Sequence, residues 1–341
     1  MEKRHMFGKF LLAASTVLSL GSAPAMAAPK VMKYAHFQPA REDQPMHAAA
    51  LKFKACMEQA TSGSVTVQIF PAGQLGSATN ALEGLKFGTV EMVVSHDGGI
   101  SSVYRPFDVF AIPYLFPDHA TAYKVLDGKF GKDFADEMLK QTGIRLLAYA
   151  DNGIRHFTNS KHPIKTPADL KGLKIRVQPA PVFLTMIEAL GGSASAIDWG
   201  ELPAALSQGT VDGQENSVTN IMAGSLYQSQ KYATLDGHVY SLHAYLVSDT
   251  FYQSLTDTEK KAIDDCVIPA RDIHRDMTRA QDLSAQKVLT GVGMEVYVPT
   301  AAEIEQFRSA AQPTVVSQLK KSAGEKWVDG LLQAVKEAKG Q

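Results

Sequence analysis

Twice in this chain a helix closes on a glycine and runs through Thr-Val-acid into a strand: "GTVEMVVS" from Gly88 and "GTVDGQEN" from Gly209. Glycine just past a last helical turn takes the left-handed conformation that ends a helix, and β-branched residues after it favour extended backbone. The elements leading up to each exit are also alike. Ahead of Gly88 come the strand "VMKYAHF" (Val31 to Phe37), a helix over "QPMHAAALKFKACMEQATSG" ending near Gly63, and the strand "SVTVQIF" (Ser64 to Phe70). The loop "PAGQLG" and a helix over "ATNALEGLKFG" complete the run, and "TVEMVVS" (Thr89 to Ser95) is the strand beyond it. Ahead of Gly209 come the strand "LKIRV", a helix over "APVFLTMIEALGG", the strand "SASAI" and a helix over "ELPAALSQG". Such alternation restricts the chain to an α/β fold with mainly parallel strands. One unit used twice implies two similar lobes, and two lobes enclose a cleft.

Helix-start signals fit this plan. "TPADLKG" places Thr166 at an N-cap, Pro167 at the first helical position and Gly172 after a single turn. Thr256 with Glu259, and Thr300 with Glu303, have capping-box spacing. The first box opens a helix running from about Asp257 toward Val288, with Pro269 as an early interruption, long enough to brace both lobes. Amphipathic surface helices follow from Ala301 and from Glu325.

The N-terminus is a separate element. "MEKRHMFGK" is basic, "FLLAASTVLSL" is an apolar run too short to span a bilayer, and Ala25-Met26-Ala27 is a small-x-small cleavage site. Residues 1–27 therefore read as a secretory signal peptide, and the mature chain as exported to the periplasm. Cys56 and Cys266 can pair in an oxidising compartment. They lie far apart in sequence, and two buried free thiols on helices is the expectation.

The formal net charge is −1, with no Lys/Arg stripe interleaved with aromatics, which argues against nucleic acid and anionic membranes as partners. There is no nucleophile elbow, no phosphate-cradling glycine loop and no His-Glu-x-x-His. His238 and His243 are five apart, on one face of neither a helix nor a strand, so they read as ordinary histidines rather than a metal site. No enzyme, cofactor or metal is expected. The simplest function for an exported two-lobed α/β chain of this kind is binding.

Several residues fall where such folds place ligands, at strand ends. Arg176 ends "GLKIRV" and can grip a carboxylate by two parallel hydrogen bonds, or form a structural ion pair. Arg155, in "NGIRHFTNS" after the strand "IRLLAYA", can reinforce an anion site or lie in a surface loop. Asn216 ends "GTVDGQEN" as an amide donor or a turn former, and Trp199 in "SAIDWGEL" precedes a helix, with core packing its bland alternative.

Together "GLKIRV", "GTVDGQEN", "FPAGQLG…ALEGLKFGTVEM" and "AIPYLF" resemble, in order and over nearly the whole mature chain, the solute-binding proteins of tripartite ATP-independent periplasmic (TRAP) transporters, C4-dicarboxylate-binding type. The resemblance implies a two-lobed periplasmic binding protein fold with crossing strands and a long spanning helix, closing on ligand by hinge motion. It implies one lobe of residues 28–152 plus about 242–281, and a second of 153–241 plus about 282–341. It also implies roles. Arg176 grips the ligand carboxylate, Arg155 is the second arginine, Asn216 the strand-end amide, and Trp199 the aromatic against the ligand. Phe37 and His96 are the contacts from the first lobe. The implied partners are a small organic acid and the membrane permease subunits, with the receptor itself a monomer. Ser77, Ala78 and His96 stand where sugar-acid binders of this family often carry acidic residues, which points toward a smaller or flatter acid. An exported sensor or an ABC-type receptor is the alternative function.

Overall fold

The computed structural model describes residues 28–340. The leader read over residues 1–27 lies outside the described residues. Among the described residues there are nine strands: β1 (Lys30–Ala35), β2 (Val65–Phe70), β3 (Met92–His96), β4 (Ile144–Asn159), β5 (Lys174–Val177), β6 (Ser193–Ala196), β7 (Gly213–Asn216), β8 (Tyr232–Ser248) and β9 (Glu295–Tyr297). They join in one mixed sheet of order β2-β1-β3-β8-β4-β7-β5-β6, with β9 added beside β8.

The repeated sequence unit becomes a repeated structural one. The strand after Gly88 is β3, which lies parallel to β1 and antiparallel to β8. The strand after Gly209 is β7, which lies parallel to β5 and antiparallel to β4. Both glycines take positive φ, 70° and 69°. Each strand starts later than expected, at Met92 and at Gly213, because the Thr-Val-acid stretch is spent turning away from its helix.

The centre of the sheet is a pair of long antiparallel strands, β4 with 16 residues and β8 with 17. The first half of β4 lies beside the half of β8 that pairs with β3, and the second half of β4 pairs with β7. Both strands therefore cross from one half of the molecule to the other. Between the halves their register slips, at Asp151/Gly153 and again at Arg155/Phe157. Bulges of this kind bend a ladder locally. Gly153 sits at the first slip with φ +104°, and a Cβ there would come within 2.7 Å of the Ser217 Cβ. Only glycine satisfies both constraints.

The predicted capping boxes at Thr256/Glu259 and Thr300/Glu303 are both formed. The long helix runs Asp257–Leu283, continues through Pro269 and stops short of Val288, where a separate helix, Ala285–Gly291, takes over after Ser284. The last helix, Glu325–Ala338, packs Trp327 against Phe130 and Phe134.

The expectation of free thiols is overturned. Cys56, in the helix Pro45–Ala60, and Cys266, in the long helix, form a disulfide with Cα atoms 5.6 Å apart. The two helices pack side by side, which brings together residues 210 apart in sequence. Closing so long a loop removes much of the freedom of the unfolded chain. Replacing both cysteines by serine is expected to cost about 2–5 kcal/mol of stability, read as a lower Tm, with ligand affinity retained because neither cysteine lines the cleft described below.

Candidate functional site

The sheet delivers the six candidate residues to one place. Phe37 lies two residues beyond β1, His96 ends β3, Asn216 ends β7, and Arg176 is one residue from the end of β5. Trp199 opens a short turn, Trp199–Glu201, after β6. All six line a single cleft. Arg155 reaches it by another route than expected. It is not at a strand end but within β4, which runs unbroken to Asn159, and the register slips turn its side chain into the cleft wall.

The two arginines are equally buried, at 1% exposure, and electrostatically opposite. Arg155 is fully engaged. Its Nε donates to Glu215 Oε2, its Nη2 to Glu215 Oε1 at 2.8 Å and to the Glu215 carbonyl at 2.6 Å, and its Nη1 to Asn216 Oδ1 at 3.1 Å. Glu215 also faces His238 Nε2 at 3.2 Å, and His238 Nδ1 lies 3.0 Å from both Asp236 oxygens. Burial alone would raise the Glu215 carboxyl, but Arg155 and His238 hold it down at about 2. Burial would lower His238, but Asp236 and Glu215 lift it to about 9.

Arg176 has no such partner. Its Nε donates to the Ile197 carbonyl at 2.8 Å, and its Nη1 is buried with no hydrogen-bond acceptor. Burial pushes it down to about 10, with Arg155 adding to the effect and Glu215 opposing it. A buried guanidinium without a carboxylate is costly. Its free donors face the cleft, so the arrangement calls for an anion there.

The other walls are neutral. Asn216 Oδ1 accepts from Arg155, from Ser217 N at 3.1 Å and from Asn220 Nδ2 at 3.0 Å, which leaves its Nδ2 as the donor for the cleft. His96 Nδ1 accepts from Gly99 N at 3.0 Å, so the ring proton belongs on Nε2. Burial, then Arg176 and Arg155, hold this imidazole at about 3, and it acts as an uncharged donor. The Phe37 ring meets His96 edge-on, with centroids 6.2 Å apart. Beyond Phe37, His96 and Trp199 the space continues past Ser77 and Ala78 to Asp198 and Glu201.

Sequence reasoning missed four contributors. Glu215 was visible only as a letter in "DGQEN", although an acid one residue before a strand-end amide was a signal that the run carries a charge partner. Gln178, two residues past Arg176, lines the cleft with its Nε2 buried and unpartnered. Gln38 joins the two sides of the cleft: its Nε2 donates to Asn220 Oδ1 at 3.3 Å, and its Oε1 accepts from Met46 N at 2.9 Å. His243 also lines the cleft, paired with His274 at 3.1 Å. Among the described residues no group of three or more His, Cys, Asp or Glu is arranged to hold a metal ion, and no helix is long and apolar enough to cross a membrane.

A cleft at the carboxyl ends of strands, walled by one acid-paired and one unpaired guanidinium, neutral donors and two aromatics between paired half-sheets, defines a two-lobed solute-binding protein. Comparison with known proteins gives the family. Residues 35–322 match bacterial extracellular solute-binding protein family 7, and the chain belongs to that family. The C4-dicarboxylate-binding periplasmic protein of Rhodobacter capsulatus is 30% identical over 305 residues, 89% of this chain and 90% of that one. Among solved structures, the sugar-acid-binding protein of Advenella mimigardefordensis, in complex with galactonate, superposes with a TM-score of 0.86 at 32% identity, covering 91% of this chain and 99% of that one. A TRAP periplasmic solute-binding protein from Polaromonas, bound to D-erythronate, gives 0.83 at 29% identity, covering 89% and 98%.

Proposed function

We propose that this protein captures an organic acid outside the cytoplasm, holds its carboxylate on Arg176, and hands it to the membrane subunits of a TRAP transporter. The observation that carries the proposal is the buried Arg176 guanidinium, whose Nη1 has no hydrogen-bond partner among the described residues. Arg155 supports the site indirectly, because Glu215 already occupies it, and its role is to fix Asn216. Phe37 and Trp199 supply apolar contact, and His96 a neutral donor.

The lobes divide at the register slip beside Gly153, where the crossing strands β4 and β8 can bend. The first lobe comprises 28–152 and about 242–281, and the second 153–241 and about 282 onward, with the last helix returning to pack on the first. Gln38, on one side, and Asn220, on the other, latch the cleft shut. The receptor works as a monomer after its leader is removed behind Ala27, and it releases its acid chemically unchanged.

A thermal-shift screen against C4-dicarboxylates, uronates, aldonates, 2-oxo acids, aromatic acids and amino acids tests this. A ligand present at about 100 times its Kd stabilises the folded state by about 2.7 kcal/mol. At least one organic acid is expected to raise Tm, and uncharged amides of the same acids are not. A protein that responds to the amides as well as to the acids would sink the carboxylate reading.

A further inference from the structure

Resting on the reading of Arg176 as the carboxylate holder, we infer that the cleft takes a monocarboxylate with a neutral oxygen, oxo or hydroxyl, beside its carboxylate. Gln178 reads that oxygen, and a second carboxylate is rejected.

The count of charges comes first. The charged side chains in the cleft wall are Arg155 and Arg176. Arg155 belongs to a chain of two basic and two acidic groups, Arg155, Glu215, His238 and Asp236, which brings no net charge to the cleft. His96 stays neutral, and burial with the neighbouring His274 pushes His243 well below its ordinary range too. Arg176 is then a cation with no ion-pair partner among the described residues, Glu215 and Asp198 acting on it only from beyond ion-pair distance, and one carboxylate neutralises it. A second carboxylate would be buried without a partner, which is strongly unfavourable in a site that excludes water. Its position would be worse still, since the open end of the cleft leads to Asp198 and Glu201. Those acids repel an anion and accept from hydroxyls, so the far end of the ligand is uncharged.

The donors come second. Two buried donors in the cleft wall lack an acceptor within hydrogen-bond distance among the described residues, Arg176 Nη1 and Gln178 Nε2, although the Gln178 side chain lies close enough to the Asp97 carboxylate to favour its charged form. The Gln178 side chain is fixed in place. It is 3% exposed, and it packs so tightly on Gly98 that a Cβ there would lie 2.6 Å from the Gln178 Cβ. A guanidinium fork occupies both oxygens of a carboxylate. The amide two residues on therefore needs an acceptor of its own, and the nearest atom a bound acid can offer is an oxygen on the carbon next to the carboxylate.

Matched ligands separate the possibilities. The protein is unfolded with its disulfide intact, dialysed and refolded, so that no co-purified acid remains, and titrated calorimetrically. The probes are 2-oxovalerate against 2-oxoglutarate, galactonate against galactarate, and 2-oxovalerate against valerate. In whichever of the first two pairs binds, the monocarboxylate is expected to bind at least about 100-fold more tightly than its dicarboxylate partner. The 2-oxo acid should exceed valerate by about 10-fold. Gln178→Met should erase this second ratio and preserve the first. A dicarboxylate that binds as tightly as its partner overturns the inference and leaves the carboxylate reading standing, as does a dicarboxylic acid recovered by mass spectrometry from the denatured protein as purified. An unchanged 2-oxo preference in Gln178→Met removes Gln178 from its role. Silence of every acid, with none released on denaturation, overturns both the inference and the reading beneath it.

Discussion

Arg176→Ala is expected to lose at least about a hundredfold in acid affinity while folding as well as the parent or better. Both halves of that expectation come from one fact: Arg176 is paired with no acidic side chain among the described residues. Its Nε rests on the Ile197 carbonyl, and no carboxylate among the described residues lies within ion-pair distance. Removing a buried charge that has no internal partner relieves desolvation instead of exposing an orphan. The bound acid loses the other member of its ion pair, which is worth about 3–5 kcal/mol when desolvated. Arg176→Lys should recover little, because an ammonium is a point charge and cannot form the two parallel bonds. Calorimetric titration together with a melting curve reads both halves. Near-normal affinity in Arg176→Ala would remove Arg176 from the site, and a large drop in Tm would make it a structural residue.

Glu215→Ala should do the opposite. It leaves Arg155 buried without its carboxylate and His238 without one of its two, at a cost of about 3–5 kcal/mol. The pH dependence of the parent protein carries the same signature. His238 is lifted from 6.5 to about 9, so its contribution to stability is complete below pH 6.5 and disappears as pH rises through 9. Glu215 is lowered from 4.5 to about 2, so its contribution is complete above pH 4.5 and disappears as pH falls through 2. The network therefore stabilises most between about pH 4.5 and 6.5, and Tm should decline from pH 6.5 toward 9. In His238→Gln that alkaline decline should shrink. An equal decline in parent and variant would place its origin elsewhere.

The two-lobed α/β plan was legible because it is written locally, in glycine stops, caps and apolar periods, and because its repeated unit appears twice in the same order. Arg176 and Asn216 were legible for a related reason, since strand ends are local features and the fold class says where they point, whereas Phe37 and His96 came from the family resemblance alone. What stayed hidden depends on contacts distant in sequence. Cys56 and Cys266 meet only because two helices pack side by side. Arg155 looked like a loop residue because β4 continues through Gly153 in a register slip that no residue pattern announces. Glu215 and His238 form one network from strands that sequence alone does not place together. Gln178 follows the strand that ends in Val177, and its significance lies in an amide Nε2 that no acceptor among the described residues meets at hydrogen-bond distance.

The unshared charge of Arg176 also governs what the molecule does when it meets nothing. Bringing the two lobes together strips water from a guanidinium that the protein itself cannot satisfy, so closure without cargo works against itself. An arriving anion removes that penalty at the same atom that binds it. On the proposed function, occupancy and shape would then report the same event, and a membrane partner that recognised the closed outline would be spared false signals from vacant molecules. The residue that sets the strength of capture would thereby also keep idle receptors from competing for the gate.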